Sequence, residues 1–98
     1  MSDRLTTHDL ERVIAILARE LNLPDKPWVQ DASGRHISVD GALALDSAYG
    51  GYSLVQIVGT GGGEREITTT RQSKRELYRT VSAMIEVVRR AKMWRSGK

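Results

Sequence analysis

Between Tyr49 and Glu76 the chain reads YGGYSLVQIVGTGGGEREITTTRQSKRE. Glycine turn, apolar run, glycine turn, Thr-rich run and helix start follow one another, and that order makes a β-hairpin the organising element. Tyr52–Val58 is rich in β-branched and aromatic residues, and its length suits a strand. Leu54 and Val58 share one face and Val55 and Ile57 the other, so this strand is expected inside a sheet. Gly59–Gly63 supplies the positive-φ positions that a tight reversal needs. Glu64–Thr70 alternates polar residues with Ile67 and reads as a strand with one wet face. Gly50-Gly51 closes the other end and receives a strand over Ala42–Asp46, with Leu43 and Leu45 on a common face. A three-stranded antiparallel meander results.

Helices flank it. The 3-and-4 spacing of Leu10, Val13, Ile14, Leu17, Ala18 and Leu21 predicts a helix over Thr7–Leu21, with Arg12 and Arg19 opposite. Thr6 or Thr7 can cap it, Asp9 suits its first turn, and Asn22-Leu23-Pro24 ends it. Ser73-Lys74-Arg75-Glu76 is a capping box for a second helix. Leu77, Val81, Met84, Ile85 and Val88 form its inward stripe, with Ala83, Val87 and Trp94 widening the apolar side. Pro24–Asp31 reads as a connection, and Arg35–Val39 as a short extra strand between turns at Gly34 and Asp40-Gly41. The expected fold is α+β, in the order α-β-β-β-α. Both helices are expected on one face of the meander, and Gln56 and many hydroxyls on the other.

At 98 residues the chain is one expected domain, with residues 1–6 and 95–98 flexible. It has no cysteine, which excludes disulfides, thiolate catalysis and Cys-rich zinc sites. No apolar run approaches the roughly 20 residues of a membrane span, and Met1–Leu10 lacks a signal-peptide core. The expectation is a soluble cytoplasmic protein that makes no membrane contact. Residues 1–48 carry five basic and eight acidic side chains, and residues 49–98 carry ten and four. The net +3 is thus −3 in the first half and +6 in the second. A polyanion would meet the carboxyl end first.

Catalytic and cofactor chemistry find no footing in the pattern. A phosphate loop needs a helix directly after its glycines, whereas Gly59–Gly63 leads into Glu64-Arg65-Glu66-Ile67, so a plain hairpin turn is the better reading. His8 falls in a helix first turn. His36 lies near Asp31, Asp40 and Asp46 in sequence, but not at metal-ligand spacing. No nucleophile-elbow pattern occurs. The chain therefore reads as a non-enzymatic interaction protein with no catalytic, metal or cofactor residues. Val87 and Trp94 either widen the core or form a seam for a second chain, with a weak homodimer as the expectation. The alternative is a nucleic-acid-binding protein that uses Lys74, Arg75, Arg89, Arg90, Lys92 and Arg95, with Trp94 free to stack on a base. Cations at a helix carboxyl end also have a plain role, opposing the macrodipole.

Two resemblances attach to these residues. YGGYSLVQIV, the Gly-Gly-Gly turn and SKRELY, together spanning Tyr49–Tyr78, resemble small uncharacterised proteins of phage and prophage genomes. That resemblance implies a viral accessory protein of unknown activity and brings no functional residues with it; binding of a host or viral macromolecule is the expectation that the missing catalytic pattern and the apolar side of the second helix add. The α-β-β-β-α order with Ser73-Lys74-Arg75 at the last helix start is similar to the double-stranded RNA-binding domain, which grips phosphates from that point. Lys74 and Arg75 match that cluster. Leu77 stands where the family has alanine, position 78 is tyrosine rather than lysine, and a Gly-Pro-x-His loop is missing.

Overall fold

The computed structural model of the chain describes residues 4–61 and 63–96. Seven elements follow in order: α1 (Thr7–Glu20), β1 (Trp28–Gln30), β2 (His36–Ser38), β3 (Leu43–Ala48), β4 (Gly51–Val58), β5 (Gly63–Glu66) and α2 (Lys74–Ser96). The class is α+β, with all strand pairs antiparallel.

Both helix starts are capping boxes. The Asp9 amide donates to Thr6 Oγ1 at 3.1 Å and the Thr6 amide to Asp9 Oδ2 at 3.0 Å. The Ser73 amide donates to Glu76 Oε1 at 2.9 Å and the Glu76 amide to Ser73 Oγ at 3.1 Å. Each box satisfies two amides that the first turn would otherwise leave without a partner. Asn22 ends α1 in the left-handed region at φ 60°, and the Leu23 amide reaches back to the Ala18 carbonyl at 2.8 Å. That bond is the six-to-one closure of a Schellman turn. Because the chain departs there, Leu21 is left 42% exposed and does not join the inward stripe.

The strands divide between two sheets. β1 and β2 form a separate hairpin, while β3-β4-β5 is the expected meander. The segment around Trp28, read from sequence as a connection, pairs with β2, Trp28 lying opposite Ser38. Asp31 builds the turn of that hairpin: its Oδ1 accepts from the Ser33 hydroxyl at 2.7 Å and from the amides of Ser33 at 2.9 Å and Arg35 at 3.0 Å. These bonds, the Ser33 hydroxyl foremost and the Arg35 amide next, hold the Asp31 carboxyl below its ordinary range. In the meander, Tyr49 and Gly50 have φ of 52° and 74°, and Ala48 faces Gly51. Positive φ at both central residues defines the type I′ turn that suits strand twist.

Two helices side by side on one meander is not the arrangement found. α1 meets the sheet mainly through β3, α2 meets it mainly through β4, and the two pair with each other, while β5 stays exposed along its length. β5 is Gly-Glu-Arg-Glu and exposed throughout, so it offers a helix no apolar surface to bury. The main core holds Leu10, Leu17, Leu54, Leu77 and Val81, each at most 2% exposed. A smaller cluster on the opposite sheet face joins Ala42, Ala44, Val55 and Ile57 under Val39. Gln56 lies on the helix side, beside Leu54 and Met84, and not on the far face as expected. Its amide nitrogen donates to the Gly41 carbonyl at 3.1 Å, which lets a polar side chain stay there.

The third strand stops short of Thr70. Val55 faces Glu66 and Tyr52 faces Gln72, so three steps along β4 are matched by six on the returning chain. Thr68 fills the gap: it is 8% exposed, and its Oγ1 accepts the Leu54 amide at 3.0 Å. A side chain thus stands in for a backbone carbonyl. Past the bulge Arg71 crosses Gly51, where an added Cβ would lie 2.7 Å from the Arg71 Cβ. Thr68→Val keeps the shape but leaves the Leu54 amide buried without a partner. The expected cost is about 1–3 kcal/mol, read by urea denaturation.

Of the ends expected to be flexible, Thr6 caps α1 and Arg95 is helical. Residues 1–3 and 97–98 lie outside the described residues.

Candidate interaction surface

α2 has 23 residues against 14 in α1, or about 34 Å against about 21 Å at 1.5 Å per residue. The shorter helix cannot cover the longer one. The radius of gyration, 14.7 Å, exceeds the ~13 Å of a compact domain of this length. Along one side of α2 run Thr80, Met84, Val87, Ala91 and Trp94, at the alternating 4-and-3 spacing of a helix-pairing seam. Val87 is 60% exposed and Trp94 72%, so neither belongs to the core of this chain. Met84 and Val88 continue inward to a groove of about 270 Å³ that Leu21, Leu23 and Ile67 also line. Leu21 and Ile67 could not have been assigned to it from sequence, since the bulge after β5 and the exit of α1 place them. Val87 and Trp94 are legible in the sequence as surplus apolar residues, whereas Thr80 and Ala91 are not.

The basic residues of α2 fall into separate places. Arg89 Nε donates to Glu20 Oε2 at 2.8 Å and Lys92 Nζ to Glu20 Oε1 at 3.1 Å, closing the end of α1 onto α2. Arg90 pairs with Glu86 one turn back at 3.3 Å. Lys74 sits 5.9 Å from the centre of the Tyr52 ring. Arg75 is exposed in the first turn and Arg95 in the last. Fifteen residues separate Lys74 from Arg89, about 22 Å of helix, so the two clusters form separate patches. The loop after β4 joins paired strands, and Asp40 Oδ1 accepts the Gly59 amide at 2.6 Å. His8 and His36 are exposed, and among the described residues no three His, Asp or Glu side chains come together as a metal site. Among those residues, too, no helix is long and apolar enough to cross a membrane.

The Glu20 carboxyl is held below its ordinary 4.5, chiefly by the Arg89 hydrogen bond and then by Lys92. A depressed folded value contributes stability above the unfolded pKa and loses it as pH falls through the folded one. Acidification through that lowered value, below the ordinary 4.5, is therefore expected to release the carboxyl end of α2 from α1. An NMR titration of the Glu20 carboxyl carbon, with a midpoint below 4.5, would show it. Glu20→Gln should reproduce the release at neutral pH.

No protein-family model matches this chain, and no curated protein or solved structure matches it.

Proposed function

We propose that this chain is a non-enzymatic interaction protein, an accessory component of the phage type that Tyr49–Tyr78 resembles, and that α2 pairs with α2 of a second copy. The observation that carries the reading is the exposed pair Val87 and Trp94, which half-buried Thr80, Met84 and Ala91 extend into a seam along one side of a helix longer than its neighbour. A two-fold interface is self-complementary, so residue i meets j and j meets i. An antiparallel pair centred on Val87 puts Trp94 beside Thr80 of the other copy and Met84 beside Ala91. Large side chains then meet small ones on either side of a central Val87–Val87 level, whereas a parallel pair would stack tryptophan on tryptophan and leave the alanines apart.

The contact is short. Residues 80–94 cover about 21 Å, and a helix face is about 10 Å wide, well under the roughly 800 Å² per partner of a stable complex. The dimer is accordingly weak and suits an assembly in which another macromolecule also engages the chain. Light scattering over a concentration series tests the reading: mass rising toward two copies in the high micromolar range supports it, and a monomer throughout contradicts it.

Nucleic-acid binding is the lesser reading. Arg89, Lys92 and Arg90 are engaged with Glu20 and Glu86, whose carboxylates offset much of the charge a phosphate would meet.

A further inference from the structure

β3 is an edge strand, and its open side is built to receive another strand. The meander order places β4 on one side of it only. Antiparallel ladders alternate bonded and non-bonded pairs. With Ala48 facing Gly51 across the two-residue turn, Ala44, Asp46 and Ala48 direct their amides and carbonyls at β4. The Ile57 amide, which donates to the Ala42 carbonyl at 2.8 Å, keeps the same parity at the far end. The amides and carbonyls of Leu43, Leu45 and Ser47 therefore point outward, where they meet no backbone partner among the described residues.

A cavity of about 300 Å³ runs along this edge. Leu43 and Leu45 line it from β3, Ile14 from α1 and Trp28 from the start of β1. Its charged lining is Glu11, Asp25 and Glu64, and no lysine or arginine contributes to it. Asp25 has only a loose partner, Arg19 at 3.5 Å, with both side chains well exposed.

From these observations we infer that the β3 edge binds an extended peptide segment of a protein partner, one that carries lysine or arginine at alternate positions. Outward amides and carbonyls in a row ask for a strand, because a helix has already spent its own backbone groups. Alternation follows from the two-residue period of an added strand: one side-chain set faces the cavity and the other solvent. Three carboxylates line the cavity, Asp25 with its loose Arg19 partner and no lysine or arginine in the lining itself, and they favour a basic side chain. Trp28, 49% exposed, offers a ring face to the cation or to its aliphatic stem. A second copy is the wrong occupant, since pairing β3 with its own equivalent would bring Glu11 and Asp25 toward like charges. The site is separate from the α2 seam and does not depend on it.

A positional-scanning library of fluorescent heptapeptides, screened against the full chain, tests the inference. Lysine or arginine should be selected at alternating positions. The best peptide should shift the amide resonances of Leu43, Leu45 and Ser47, and should lose at least tenfold in affinity when its alternate amides are N-methylated. Ser47→Pro removes one outward amide at an exposed edge position where proline is tolerated. It should weaken binding, as should Glu11→Lys with Asp25→Lys, two exposed changes that leave the core intact. Three results would overturn the inference: no peptide binding tighter than about 1 mM, an N-methylated peptide binding as well as its parent, or resonance shifts confined to α2.

Discussion

Replacing Leu54 with alanine is expected to remove about 2–5 kcal/mol of stability. Leu54 is fully buried in the central strand, where both helices and Leu43 converge. Truncation forfeits the transfer energy of the side chain and leaves a cavity that two helices and a sheet cannot all close at once. Its backbone compounds the effect: the Leu54 carbonyl accepts from Ile67 at 2.9 Å and its amide donates to Thr68. A shift of the strand would disturb the bulge. Against a total of about 5–15 kcal/mol, and nearer the low end for a domain this small, the variant should be partly unfolded at 37 °C. Val58→Ala is the control. It lies on the same face of the same strand but is 45% exposed, and should change the urea midpoint little.

The second large effect is on association. Val87→Glu is expected to abolish the dimer while leaving the monomer as stable as the parent. Val87 is 60% exposed, so a carboxylate there is solvated in the free chain and costs within about 0.5 kcal/mol. In the pair it would stand opposite its own copy at the two-fold centre, desolvated and beside a like charge. Sedimentation equilibrium should give one copy at every concentration, with an unchanged denaturation curve at low concentration. Trp94→Ala should weaken association less, because it removes contact area at the ends of the seam and leaves the centre intact.

What the sequence made legible was what depends on neighbours along the chain. The Thr6 cap, the Ser73–Glu76 box, the left-handed Asn22 and the glycine turns at Gly50 and Gly59 are local devices, and each is where its residue types put it. The stripes Leu10–Ala18 and Leu77–Ile85 follow the helical period and are buried accordingly. What eluded a linear reading was set by partners distant in sequence. Trp28-Val29-Gln30 is a strand only because His36–Ser38 returns beside it. Thr68 looked like one more hydroxyl on a wet face until the bulge turned it onto the Leu54 amide. Gln56 reads by its polarity as a far-face residue, yet the strand alternation beginning at Leu54 places it among apolar side chains. In the candidate site, Val87 and Trp94 were visible as surplus apolar residues. That Arg89 and Lys92 converge on Glu20 was not, since 69 and 72 residues separate the partners.

The pairing of α2 with its own copy can be tested by cross-linking, because the chain has no cysteine to interfere. Val87→Cys and Trp94→Cys would be oxidised separately at high micromolar concentration and resolved on a non-reducing gel. In the antiparallel pair centred on residue 87, the two introduced thiols at 87 lie across the two-fold axis. Those at 94 stand about 21 Å apart, seven residues on either side of the centre at 1.5 Å each, beyond disulfide reach. A covalent dimer from the Val87→Cys chain and none from the Trp94→Cys chain is the expected result. Equal cross-linking at both positions would mean a parallel pair, and none at either would mean that the seam does not join two copies of this protein.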